Sequence, residues 1–180
     1  LPGLIDAHGH IEGLGAQLLA LDLTGTDSLA AAQAAARAYA AANPARAWIQ
    51  GAGWNQEIWK LGRFPTAADL DAAVPDRPAA LLRVDGHALW LNSKALAAAG
   101  ISAQTPDPAG GRIERDAAGN PTGVLVDSAQ DLATKVIPAP TAAEADAALA
   151  KALFVMASVG LTGVGDAGVT PGDFARLAAF

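Results

Sequence analysis

Apolar positions recur along the chain in short blocks separated by glycine, proline and polar clusters. Residues 4–8 form a mostly apolar run after Pro2 and Gly3, the pattern of a buried strand that enters a turn at Gly9 and Gly13. Beyond a loop, Ser28 to Ala42 is alanine-rich, carries Leu29, Ala32, Ala36 and Tyr39 on one side, and stops at Asn43-Pro44. This predicts a helix whose small side chains pack closely on a sheet. A strand follows at about Ala47 to Gly51, and Thr66 with Asp69 at N3 caps a short helix that Pro75 stops. Ala79 to Val84 is a β-like run. Asn92 or Ser93 then caps a helix from Lys94 to Ala99, closed by Gly100 in the left-handed conformation.

The next block predicts a hairpin. Residues 112–115 and Thr122 to Val126 flank the turn Asp116 to Pro121, where Gly119-Asn120 supplies positive φ and Pro121 marks the edge of the second strand. Thr141 and Glu144 form a capping box. The helix behind them keeps Ala145, Leu149, Ala152, Leu153, Met156 and Val159 on one apolar face as far as Gly160. It feeds Leu161 to Asp166, a short strand ending in a carboxylate, and helix followed by strand is the order of an α/β barrel.

Composition narrows the classes. With 52% hydrophobic residues, 180 residues can bury a core. That length suits one ordinary domain or part of a larger one, since an α/β barrel takes about 250 residues. Trp48, Trp54, Trp59 and Trp90 all fall in the Gly- and Pro-punctuated middle, which marks a separate α+β module. A formal charge of −6 without a basic stripe excludes a nucleic-acid partner. There is no cysteine, so any metal must be held by His, Asp or Glu. The alanine-rich stretches are broken by Arg37, Tyr39 and Asn43, or by Glu144, Asp146 and Lys151, and none predicts a membrane span. A soluble, cytoplasmic protein is expected. A leader is left open because the chain starts at Leu1 without Met, and so is a homo-oligomer.

His8 and His10 are the first candidate for chemistry. Two apart on an extended backbone, they point to one side with Cα atoms about 6.6 Å apart. Their imidazoles can converge on one divalent cation, most simply zinc, and leave coordination positions for a carboxylate and a water. An isolated H-x-H is more often a pair of ordinary polar residues. Here it ends a buried strand, where barrel enzymes gather catalytic groups. The H-x-H-x-D-H pattern of metallo-β-lactamase-like hydrolases is ruled out, because positions 12 and 13 are Glu12 and Gly13.

Pro2 to His10 resembles the P-G-hydrophobic-I-D-x-H-x-H signature of the amidohydrolase superfamily. Gly53-Trp54-Asn55, Phe64-Pro65-Thr66 with Asp69-Leu70-Asp71, Asp85-Gly86-His87, residues 91–96 and residues 121–125 resemble, in order, its amidohydrolase 3 branch. That branch comprises YtcJ-like proteins related to N-substituted formamide deformylases. The resemblance implies a TIM barrel interrupted after its first strand by an α+β insert, with a β-sandwich that is absent here. On this basis residues 1–43 hold the first barrel strand and helix, 44–130 the insert, and 131–180 the return to the barrel. Further His ligands and a late-strand Asp general base belong to the family, yet no His follows His87. A partial sequence, inactive alone, is therefore expected.

The resemblance also implies an activity: hydrolysis of a non-peptide C–N bond, of amide or N-formyl type, in a small-molecule substrate by metal-activated water. Asp127 would be a metal ligand, bridging or catalytic, in place of the carboxylated Lys of other amidohydrolases; otherwise it is a solvated carboxylate at a strand end. His87 would orient the substrate or polarise its carbonyl, or else be a structural histidine beside Trp90. Asp166 would bind substrate at the barrel rim or cap the following turn. Trp54 and Asn55 would line the pocket, although a Trp in an insert is more often core. Two alternatives stand beside this: a metal-free binding protein of the same fold, and a metal hydrolase acting on esters or cyclic ureides.

Overall fold

A computed structural model describes residues 3–179, so Pro2 of the expected opening pattern lies outside the described residues. In chain order the elements are β1 (Ile5–Gly9), α1 (Ile11–Leu19), β2 (Leu21–Asp22), α2 (Leu29–Ala42), β3 (Ile49–Trp54), α3 (Ala67–Asp71), β4 (Ala79–Arg83) and β5 (Ala88–Leu91). Then come α4 (Ser93–Ala98), β6 (Gly111–Arg115), β7 (Pro121–Asp127), α5 (Asp131–Thr134), α6 (Ala142–Ser158), β8 (Gly163–Asp166) and α7 (Pro171–Ala179). The fold is mixed α/β and divides into two compact units, one of residues 21–138 and one of residues 1–20 with 139–180. These bounds differ from the expected 44 and 130. The helix at 29–42 buries Ala32, Ala36 and Ala40 against the middle segment's core, which places it with that segment rather than with the opening strand. No helix among the described residues is long and apolar enough to cross a membrane.

In the discontinuous unit, β1 and β8 run parallel, with Ile5 beside Gly163, Asp6 beside Val164 and Gly9 beside Asp166. The predicted capping box of α6 is present: Thr141 Oγ1 accepts from the Glu144 amide while the Glu144 carboxylate accepts from the Thr141 amide. This helix buries Ala148, Leu149, Ala152 and Met156. Helix α1 crosses it closely enough that a Cβ on Gly15 would come within 2.1 Å of the Ala148 carbonyl oxygen, so only glycine fits there. Two expectations change. Residues 11–19, expected as loop, are helical, and β1, expected to be buried, leaves Ile5 76% exposed because the described part of this unit covers neither of its faces.

The contiguous unit is a six-stranded sheet in the order β2-β3-β4-β5-β7-β6. Strands β2, β3 and β4 are parallel, and every pairing from β4 to β6 is antiparallel. Both faces are buried. Along β4 and β5, Ala79, Leu81, Ala88 and Trp90 enter one core, with α2 and the side chains of Trp54, Trp59 and Leu70. Their neighbours Ala80, Leu89 and Leu91 enter the other, with Ala95, Leu125 and Ala133. The period of two thus divides uniformly apolar runs between two cores, as expected of a doubly covered sheet. It also explains why Ala88–Leu91 escaped sequence analysis: four consecutive apolar residues carry no alternation. The strand expected at Ala47–Gly51 lies instead at Ile49–Trp54, and short helical turns occupy residues 128–134.

One polar side chain locks this double core. Asn92 is fully buried and caps α4. Its Oδ1 accepts from the amides of Ala79 (3.0 Å) and Ala95 (2.9 Å), and its Nδ2 donates to the carbonyls of Val74 (2.9 Å) and Arg77 (2.7 Å). All four hydrogen-bonding positions of the amide are filled. Asn92→Ala strands four buried backbone groups and is expected to cost about 3–4 kcal/mol, read as a lowered urea midpoint. A change under about 1 kcal/mol rejects this role for the side chain.

At the start of α3, burial works to raise the Asp69 carboxyl, but hydrogen bonds from Arg63 and from the amide and hydroxyl of Thr66 hold it below the usual carboxylate range. A depressed folded pKa contributes stability above the unfolded value of about 3.9, and this is lost as pH falls through the folded value. The urea-midpoint difference between the unsubstituted chain and Asp69→Asn should therefore be widest near neutrality and close at pH below about 4. A constant difference contradicts it.

Candidate metal centre

The H-x-H pair stands where β1 gives way to α1. His8 is the fourth residue of the strand and its amide donates to Asp6 Oδ1 at 3.1 Å. His10 is the N-cap of α1, yet its side chain makes no capping bond. A residue distant in sequence does that work. Asp166, at the end of β8, accepts the amide of Ile11, the first helical residue, through Oδ2 at 2.8 Å and the amide of Gly168 through Oδ1 at 3.0 Å. These two amides, Ile11 first, hold its carboxyl below the usual range, with His10 adding to the effect. A carboxylate at a helix N-terminus satisfies an orphan donor and complements the helix dipole. With the cap supplied from β8, the imidazole of His10 stays free, with Nδ1 3.9 Å from Asp166 Oδ1. Gly168 leaves it room: a Cβ there would lie 3.1 Å from His10 Nδ1.

The rings of His8 and His10 have centroids 5.3 Å apart and planes at 90°. Zinc–nitrogen bonds of about 2.0–2.1 Å place each imidazole centroid about 3.2 Å from the ion, so two ligands at a tetrahedral angle have centroids about 5.2 Å apart. The centroid spacing thus equals that of two ligands on one cation, and both rings are exposed. Among the described residues no group of three or more His, Asp or Glu side chains forms a metal cage. A cavity of about 90 Å³ is lined by Asp6, Gly9, His10, Ile11, Leu14 and Met156, together with Leu161 and Val164. It has room for waters, but falls short of the roughly 300–1,000 Å³ of a small-molecule pocket.

The other candidate residues belong to the contiguous unit. Asp127, expected at the metal, contacts His87, whose Nδ1 lies 2.9 Å from Asp127 Oδ1. His87 is exposed rather than packed structurally beside Trp90. Trp54 is corrected to a core residue: it is wholly buried among Trp59, Phe64 and Trp90, and its indole N–H donates to the Leu81 carbonyl at 2.7 Å, leaving no surface for a substrate. Asn55 is half-buried and closes a turn by accepting the Glu57 amide at 3.0 Å.

A model of the amidohydrolase family matches residues 1–179. The chain belongs to the amidohydrolase family. It is 43% identical over 162 residues to the YtcJ protein of Bacillus subtilis (strain 168), covering 90% of this chain and 31% of that protein. It is 34% identical over 180 residues to the N-substituted formamide deformylase of Arthrobacter pascens, covering 94% of this chain and 32% of the enzyme. An uncharacterized metal-dependent hydrolase from Pyrococcus furiosus superposes on it with a TM-score of 0.71 at 27% identity, over 99% of this chain and 34% of that one. This amidohydrolase-family chain thus spans about a third of the length of the relatives it matches.

Two caps meet at Asp166: that of α1, which the sequence reading did not foresee, and that of the turn at Gly168, which it did. The signal for the first was the lack of any Ser, Thr, Asp or Asn in front of Ile11, which leaves the helix to be capped from elsewhere. Asp166→Ala should fray α1, costing about 1–2 kcal/mol and speeding amide exchange at Ile11 and its neighbours. Unchanged protection at Ile11 rejects the cap.

Proposed function

We propose that this amidohydrolase-family chain is the metal-binding part of a metal-dependent hydrolase that cleaves a non-peptide C–N bond, of amide or N-formyl type, in a small molecule. The observation that carries this is the spacing of the His8 and His10 rings, 5.3 Å between centroids, at the carboxyl end of a parallel strand. The formamide deformylase among its relatives supports the bond type, and the Pyrococcus furiosus hydrolase supports the divalent metal. Zinc suits two neutral imidazoles best. In this reading β1, α6 and β8 are barrel elements with strand ends towards the chemistry, and residues 21–138 are the inserted module.

The chain's own residues have defined tasks. His8 and His10 hold the ion through neutral imidazole nitrogens. A cation held there would lower the pKa of a bound water and polarise the substrate carbonyl. The Asp6 carboxylate fixes the backbone at His8, and the Asp166 carboxylate keeps the β1–α1 junction in place while its charge lies beside His10. In this reading Asp166 supports a ligand, both of its oxygens accepting backbone amides.

The test is run on a protein of the relatives' full length that carries this segment. Elemental analysis should find bound divalent metal that His8→Ala and His10→Ala each remove. A panel of N-formyl, N-acyl and ester substrates should show hydrolysis of the first two that disappears with the metal. Metal content unchanged in both variants ends the ligand assignment; esters hydrolysed in preference would move the reading to another bond. A metal-free, inactive protein would favour a binding role.

A further inference from the structure

We propose that the cavity beside His10 receives the N-alkyl group of the amide substrate and that Asp6 accepts its N–H, an inference that rests on the amide-hydrolase reading above. Every residue of the lining belongs to the discontinuous unit. The lining grades from polar to apolar with depth. Asp6 and His10 are exposed and form the rim, Ile11, Leu14, Leu161 and Val164 are half-buried walls, and Met156 is buried at the floor. A ligand that suits this gradient has an apolar end to bury and a polar end that stays outward.

Volume sets the size of the apolar end. An engineered protein cavity of about 150 Å³ holds benzene, so one of about 90 Å³ admits about three or four heavy atoms. An alkyl chain up to propyl fits, and an aromatic ring does not. Gly9 keeps the space open near the rim: a Cβ there would lie 2.8 Å from Val164 Cγ1 and 3.9 Å from Asp6 Oδ2, in the gap between them.

Charge sets the polar end. A carboxylate only accepts, so the group beside Asp6 must bring a hydrogen on nitrogen or oxygen. Asp6 Oδ1 accepts the His8 amide at 3.1 Å, which holds the carboxylate at the rim with Oδ2 on the side of Gly9. Asp166 adds a second negative charge 3.9 Å from His10 Nδ1, and together the two disfavour an anionic ligand. A secondary amide meets these demands at once. Its nitrogen carries both the alkyl chain and the hydrogen, and its carbonyl stays at the rim beside His10. A tertiary amide has no hydrogen to give, and an unsubstituted one has nothing to bury. The class selected is the short N-alkylformamides.

Met156 is the chain's only methionine, so an isotope-labelled methyl group gives one resonance that reports on the cavity floor. N-propylformamide should shift that resonance saturably. Affinity should rise about threefold per methylene from the N-methyl to the N-propyl compound, and N-benzylformamide should have no effect. Gly9→Ala and Leu14→Phe fill the space from two sides, and each should weaken N-propylformamide about tenfold. Asp6→Asn keeps the shape but turns a donor towards the ligand N–H, and should weaken it about tenfold as well. N,N-dimethylformamide, which lacks the hydrogen, should respond weakly and equally with and without that substitution. A resonance that no formamide moves overturns the site, as does an affinity unchanged in both filling variants, and an affinity unchanged in Asp6→Asn overturns the role of Asp6. Binding of propylammonium in place of the formamides assigns the cavity to a free amine and overturns the substrate assignment. In a protein of the relatives' full length, kcat/KM along the N-alkyl series should follow the order of affinity; hydrolysis indifferent to chain length overturns the cavity's part in it. A chain that binds the series while the full-length protein hydrolyses no amide overturns the hydrolase reading instead, so the two failures are distinct.

Discussion

The contact between the Asp166 carboxylate and the Ile11 amide organises the candidate centre. It joins the end of β8 to the first turn of α1, and so brings together residues 155 positions apart in sequence. Because the helix is capped from another strand, its own N-cap position is free to carry an imidazole instead of a small capping residue. His10 therefore stands at a place where local rules would put Ser, Thr, Asp or Asn. The parallel pairing of β1 with β8, the close crossing of α1 over α6 at Gly15 and the setting of His8 all adjoin that junction.

The contiguous unit solves a different problem. A sheet with apolar side chains on both faces has little polar material with which to fix its register, and one saturated amide, Asn92, does so from inside. It links the start of β4, the first turn of α4 and the segment that leads from α3 into β4. Arg77 acts similarly at the surface, with its guanidinium gathering the carbonyls of Ala40, Asn43 and Arg46 at the end of α2.

Much of this was legible in the sequence wherever a local rule had a clear chemical form. The capping boxes at Thr66 and Thr141, the Asn92 cap and the positive φ of Gly100 and Gly119 all follow from side-chain chemistry within a few residues. Asn120 does not share the positive φ; its amides bond back to Asp116 instead. What stayed hidden depends on partners far along the chain. Helix α1 carries two glycines and no local cap, so neither propensity nor capping announces it. Strand β5 lacks alternation because both of its faces are covered. The histidine pair was visible as H-x-H, whereas the meeting of His87 with Asp127, 40 positions apart, required the antiparallel β5–β7 ladder to be known.

Nesting one unit within the chain of another has a kinetic consequence. Joining β1 to β8 closes a loop of roughly 150 residues, which on the logarithmic scale of chain closure costs about 4–5 kcal/mol before any contact repays it. A two-stranded ladder whose hydrogen bonds each contribute about 1 kcal/mol net recovers little more than that. The segment 21–138, rich in hairpins and short crossovers, can condense first and so shorten the effective loop. The order of events during synthesis then matters: the histidines emerge early, but their strand waits for its partner until the intervening sheet has formed.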